Sequence, residues 1–211
     1  MFEMMQGAQG GDGESINGVA VAVVTNNEDP QNLARVKVKY PWRQDEDESY
    51  WARIATFMGG SDRGGYFLPE VGDEVLVSFE NGDIDHPFII GALWSDKLKP
   101  PENNSDGKNN LRLIRSRSGH MVILDDTDGS EKIVIIDKSE KNLLTIDTSS
   151  NTIEISSEQD IKLNAPKGKI LLDANELEFK AKANAKVQAQ GNIDVKATGN
   201  NTIQGAMVMI N

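Results

Sequence analysis

The densest group of side chains able to do acid–base chemistry is the run Asp45-Glu46-Asp47-Glu48. Glycoside cleavage needs two carboxylates across a cleft, with apolar surroundings that keep one protonated and leave the other ionised. Four consecutive acids lack those surroundings, and the run reads as a solvated loop. Asp125, Asp126 and Asp128 in DDTDG resemble half a calcium loop. No glutamate stands at the twelfth position to complete such a coordination sphere, so a β-turn is expected there. His86 precedes Pro87 at the start of a strand and reads as structural. His120, near Arg115 and Arg117, is either a partner contact or part of a solvated collar. Three copies of one histidine on a symmetry axis can bind a metal, but no second ligand stands near His120. Cysteine is absent, which removes thiol nucleophiles, thiolate metal sites and disulfides together. No Gly-rich phosphate loop opens a helix. No catalytic, cofactor or metal site is therefore expected, and the chain reads as a non-enzyme.

The elements that would position any site fall into two differently built halves. Of the 211 residues, 105 in front carry 18 acids and 8 bases, and the rest carry 15 and 14. An acidic front half speaks against a nucleic-acid partner, because replacing phosphate counterions needs Lys and Arg. Eleven of the twelve aromatics lie at or before Trp94. No stretch reaches the about 18 apolar residues of a membrane helix. The start carries no basic and apolar secretory signal.

Residues 1–15 are Gly-rich and polar, and a flexible lead-in is expected. Residues 16–95 read as five short strands: 19–24, 34–40, 50–57, 74–80 and 86–94. Period-2 alternation marks them, residues 59–73 form a loop, and Asn81-Gly82-Asp83 signals a hairpin turn. Five strands without a helical period suggest a small β-barrel, an OB-fold among the candidates. Residues 96–110 form a proline-containing, semi-rigid linker, and 111–130 a collar at the entry to the C-terminal stretch.

From 131 to 211 a small unit repeats, two apolar positions one residue apart followed by a polar stretch. The pairs are Ile133/Ile135, Leu144/Ile146, Ile153/Ile155, Ile161/Leu163, Ile170/Leu172, Leu177/Phe179, Ala185/Val187 and Ile193/Val195, with Ile203 and Val208/Ile210 beyond. The period is close to eight residues. Repetition of this kind indicates a quasi-one-dimensional architecture. Each strand offers too few inward side chains to enclose a core alone, so one copy leaves an apolar stripe exposed. Three chains winding about a common axis bury it, in an intertwined homotrimeric prism. The stretch 176–190 is rich enough in Ala and Lys for a helix, but its unbroken i, i+2 alternation reads as strand.

The segments NEDPQNLARVKVKYPW, SYWARIATFMGG and PEVGDEVLVSFENGDIDHPFIIGAL resemble the OB-fold domain of contractile-tail spike proteins. That family includes phage baseplate assembly protein V, the needle of T4-like baseplates and the C-terminal part of the type VI secretion spike. The trailing repeat is similar to the family's triple-stranded β-helix. The resemblance implies an all-β homotrimer, an OB-fold barrel followed by an intertwined β-helix, acting as the central spike of a contractile phage tail or phage-tail-like injection system. It implies cell-envelope puncturing, assembly in the bacterial cytoplasm, and a place at the baseplate centre of a virion or similar particle. A separate hub protein is implied, because the hub of type VI spikes has no counterpart here. There is no room for a lysozyme domain in the linker, and no His-x-His ends the chain.

The last residues, Ala206, Met207, Val208, Met209, Ile210 and Asn211, form an apolar end where polar residues are the norm. They either continue the prism core or, with adaptable methionines facing outward, dock a tip partner. In the resembling family PAAR-repeat proteins cap the spike. The reading from another class is an OB-fold module for single-stranded nucleic acid or carbohydrate on a trimerising stalk, with Trp42, Tyr50 and Trp51 as stacking aromatics.

Overall fold

A computed structural model describes residues 16–43 and 47–209. It divides into two compact units, residues 1–159 and 160–211. The lead-in expected over residues 1–15 lies outside the described residues.

Seven strands occupy the front of the chain: β1 (Val19–Asn26), β2 (Lys37–Lys39), β3 (Arg53–Ile54), β4 (Gly59–Gly60), β5 (Arg63–Gly64), β6 (Glu74–Phe79) and β7 (Pro87–Leu93). Five of them form one sheet in the order β2-β1-β6-β7-β3, with β3 parallel to β7 and the other pairs antiparallel. The sheet closes on itself where Val36 and Ala52 exchange backbone hydrogen bonds of 3.1 and 2.7 Å. This is the five-stranded barrel of an OB-fold. Alternation dictates what fills it. Ala22 and Val24 of β1, Val38 of β2, Val75, Val77 and Phe79 of β6, and Ile89 of β7 point inward and are buried, together with Val36, Tyr40 and Ala52. Among the described residues no charged residue is buried, and the barrel core is apolar apart from the Tyr40 hydroxyl.

The strands expected over 34–40 and 50–57 are shorter than the alternation suggests. Residues 29–35 wrap around the Asp29 carboxylate, which accepts backbone N–H groups from Gln31, Leu33 and Arg35. Asn32 and Ala34 are held at positive φ in the process, and a strand cannot start before Val36. The other strand ends when Ala55 donates to the Ile89 carbonyl and the chain turns away. The expected loop 59–73 instead contains the two-stranded ribbon β4–β5. Gly64 makes it possible, since at its φ of 144° a Cβ would sit 2.4 Å from the Met58 carbonyl oxygen. The turn signal at 81–83 is a short 3-10 turn, Glu80–Gly82, with Asn81 at φ 53°. The linker is not simply extended: Asn109 N–H reaches the Asn104 side-chain oxygen at 2.6 Å and folds residues 104–109 into a compact turn.

Five more strands complete the described elements: β8 (Leu111–Arg115), β9 (Met121–Asp125), β10 (Lys132–Ile136), β11 (Leu143–Asp147) and β12 (Thr152–Ser156). Each pairs antiparallel with its sequence neighbour, giving the order β12-β11-β10-β9-β8. The expected collar, 111–130, therefore supplies two strands of the same sheet as the first repeat units. Within one chain those units fold back as a meander and do not wind around an axis. From Ser157 to Met209 the described residues contain neither strand nor helix, so the helical option over 176–190 is not taken up.

Truncating the barrel core should be far costlier than trimming its outer wall. Ile89→Ala is expected to lower stability by about 2–5 kcal/mol. Ile90→Ala, whose side chain faces outward, should cost much less. Urea unfolding followed by tryptophan fluorescence measures both, and equal losses would contradict the inward assignment.

Candidate functional site

The residues first considered for catalysis or metal binding have other duties. Asp45 and Glu46 lie outside the described residues. Glu48 pairs with Lys37 at 3.1 Å, and its carboxyl is held low by the Thr25 hydroxyl and then by Lys37. His86 Nδ1 lies 2.9 Å from Asp83 inside the turn before β7. His120 Nδ1 accepts the Lys138 N–H at 3.2 Å, and so ties the β8–β9 turn to the β10–β11 turn. Asp126 pairs with Arg112 at 2.9 Å. Among the described residues no three His, Cys, Asp or Glu side chains are grouped to hold a metal ion. No helix among them is long and apolar enough to cross a membrane. Of the aromatics considered for stacking, Trp51 lies under the Arg35 and Lys37 cations, at 5.9 and 5.6 Å from its centroid. Trp42 leans on Tyr40 at 5.4 Å, and Tyr50 is exposed. They do not form a continuous stacking face with a basic floor.

Two devices escaped the sequence reading although their letters were in view. The first is the Asp29–Arg35 pair, a two-pronged contact with both nitrogen–oxygen distances at 2.8 Å. The guanidinium, helped by the backbone N–H groups, pulls the Asp29 carboxyl well below the usual range. The second is an Asp-x-Ser/Thr turn used three times. Asp125 and Asp147 end their strands and Asp137 directly follows β10, and each accepts the hydroxyl two residues on, from Thr127 at 2.6 Å, Ser149 at 2.7 Å and Ser139 at 2.7 Å respectively. The signal was DDT, DKS and DTS at the ends of successive strands.

What these turns present is an apolar surface. The register places Ile135 opposite Val122 and Leu144, and Leu144 opposite Ile155. It places Ile133 opposite Leu124 and Ile146, and Ile146 opposite Ile153. Six of the residues read as trimer core, Ile133, Ile135, Leu144, Ile146, Ile153 and Ile155, thus share one face of the sheet. With Ile114, Val122 and Leu124 they make two apolar rows interrupted only by Arg112. None of them is buried; Ile135 is 50% exposed and Ile153 is 71% exposed.

Beyond residue 159 the same condition is more extreme. Ile161, Leu163, Ile170, Leu172, Leu177, Phe179, Val187, Ile193, Val195 and Ile203 are all exposed. Among the described residues here the backbone makes one internal hydrogen bond, from Gly168 N–H to the Ala165 carbonyl. The chain nevertheless bends at 166–168, 175, 182–183, 190–191, 198–199 and 206, every seven or eight residues, between successive apolar pairs. Met207, Val208 and Met209 are exposed at the end, while Ile210 and Asn211 lie outside the described residues. From 111 to 209 not one described residue is buried.

Comparison with known proteins places the barrel. Residues 20–94 match the type VI secretion system/phage-baseplate injector OB domain family. The chain is 35% identical over 112 residues to the type VI secretion system spike protein VgrG3 of Vibrio cholerae, covering 49% of this chain and 11% of the relative. It is 37% identical over 87 residues to spike protein VgrG2a of Pseudomonas aeruginosa, covering 39% and 10%. Identity to VgrG1a of the same organism is 29% over 127 residues, 54% of this chain and 20% of the relative. The chain thus spans between about a tenth and a fifth of the length of these curated relatives.

The turn carboxylates set a pH dependence whose sign is fixed. Asn142 and then Ser139 lower Asp137 from 3.8 to about 2. Asp125 and Asp147 are lowered too, by Thr127 and by the Ser150 N–H first. A depressed carboxyl stabilises the fold above its unfolded pKa, and the stabilisation is lost as pH falls through the folded value. Thermal melting of the sheet should be flat at neutral pH and decline between 3.8 and about 2. Asp137→Asn should flatten that decline, and an unchanged acid limb in this variant would contradict the assignment.

Proposed function

Since residues 20–94 are an OB domain of the contractile-injection spike family, related to type VI secretion spike proteins, we propose that the chain is the central spike of a contractile injection machine. One observation carries this reading: none of the 99 residues from 111 to 209 is fully buried, and past residue 160 exposed apolar pairs recur between bends at regular intervals. An exposed apolar stripe of that length is an association surface. Three copies sharing an axis bury it: the β8–β12 meanders pack through the face that carries Ile133 to Ile155, and the chain beyond residue 160 winds as a triple-stranded β-helix with Ile161 through Ile203 inward. In such a prism every strand has a neighbour along the shaft, so no sheet edge is left open.

The mechanism is mechanical. The barrels sit at the baseplate end against a separate hub protein, and sheath contraction drives the narrow shaft into the target envelope. Ala206 to Asn211 present an apolar end to a PAAR-like tip protein. The particle is a phage tail or a phage-like device, assembled in the bacterial cytoplasm, and the chain itself performs no catalysis. At about 4.8 Å per strand and about seven strands on each face beyond residue 160, the wound part of the shaft is roughly 34 Å long. The single-stranded nucleic-acid or carbohydrate module has less behind it, because the acidic front half and the covered Trp51 give a strand or sugar little to bind.

Affinity-tagged chain is expected to co-purify with contractile particles. Ile161→Asp puts three unpaired carboxylates around one axis, each costing several kcal/mol to bury, and should abolish that recovery. Lys162→Asp, on the outward face, should leave it intact. Equal recovery of the two variants, or recovery of the wild type only as free chain, would contradict the proposal. Met207→Ser with Met209→Ser should trimerise normally and lose the tip protein in a pull-down. Undiminished capture would place those methionines outside the docking surface.

A further inference from the structure

The two stretches of the apolar half differ in what they can do alone, and that difference bears on how the shaft finds its alignment. This inference rests on the trimeric reading above. The first stretch, β8 to β12, satisfies its own backbone: every strand pairs with its sequence neighbour across connections of four to six residues. Local pairings of this kind form early and cheaply, because little loop entropy is lost. Its unfinished business is one apolar face. The second stretch, from residue 160, has no strand partner of its own and must take its pairing from other chains.

That second stretch cannot choose its own alignment. Its pairs Ile161/Leu163, Ile170/Leu172 and Ile193/Val195 belong to a series spaced by seven to nine residues, and the bends recur at the same interval. Sliding one chain by a single unit lays apolar pair on apolar pair and bend on bend. A register held only by pattern is weakly specified where the pattern repeats. The meander does not repeat in this way. Its turns share a motif but are not evenly spaced, with the β8–β9 turn built without the aspartate and the β11–β12 turn shorter than the two before it, and Arg112 stands in its face as a single charge among nine apolar residues. The face also ends only a few residues before the second stretch begins.

We propose that the apolar face of β8–β12 is the registration interface of the spike: three preformed meanders dock first, each taking a second and third copy of itself as partner, and fix the level at which the repeats then wind together. The geometry that would align the chains is thus separate from the geometry that lengthens the shaft. The repeats supply length and rigidity, and their number can change without loss of alignment.

The absence of cysteine from the chain makes a direct test available. Val195→Cys in the full chain places one inward thiol per copy, and in an aligned trimer these lie at one level near the axis. Oxidation should therefore link two chains of each trimer. Adding Ile135→Ser and Ile146→Ser to the meander face should abolish that link, or abolish the trimer itself. Deleting residues 185–192, one whole repeat unit, should leave both trimer and link intact. A trimer that keeps its link after the face substitutions overturns the inference. So does loss of trimer or link in the unit deletion, which would mean that the repeats carry the alignment. A Val195→Cys chain that is monomeric before any further change refutes the trimeric reading instead, so the two failures are told apart.

Discussion

The constraint on which everything else depends is that the chain past residue 110 has nothing of its own to cover it. A folded domain normally offsets its lost conformational entropy by burying apolar surface. Among the described residues all ten buried apolar side chains lie between Ala22 and Ile89. The C-terminal half has as regular a pattern as the barrel, and no described residue in it is fully buried. On the proposed trimeric reading its isoleucines and leucines are placed for burial by partner chains.

The barrel meets the opposite requirement. It has to stand without help, and its construction is self-sufficient: an apolar core, a closed sheet, and the Asp29–Arg35 pair cinching the loop that brings the chain from β1 to β2. One ion pair ties it to the meander, Arg117 to both oxygens of Glu70 at 3.0 Å. Both partners are exposed, and such a pair contributes little energy. Between these two parts the chain changes from burying apolar surface within itself to offering it outward.

Much of this was legible in the letters, and the reasons differ by region. The barrel strands β1, β6 and β7 could be read because period-2 alternation and strong turn residues at Gly72-Asp73 and Asn81-Gly82 leave little choice. The ribbon β4–β5 could not, because Gly59 and Gly60 opposite Gly64 and Arg63 carry no hydrophobic pattern and the pairing depends on a close backbone approach. The placement of Ile133, Ile135, Leu144 and Ile146 on one face followed from their spacing. The antiparallel return of β8 to β12 did not, since the apolar pairs are equally compatible with winding onward. What separates the two is the Asp-x-Ser/Thr turn, which reverses the chain at 125–127, 137–139 and 147–149 and has no counterpart after residue 160.

The central claim is that three chains share what one cannot bury, and mass in solution tests it most directly. Sedimentation equilibrium of the purified full chain should give a single species of about 69 kDa, three times the 23.1 kDa of one copy. Its mass should persist on dilution, as expected of an interface buried along the whole shaft. A stable, well-behaved monomer of 23.1 kDa would contradict the account, because the exposed stripe would then need no partner at all.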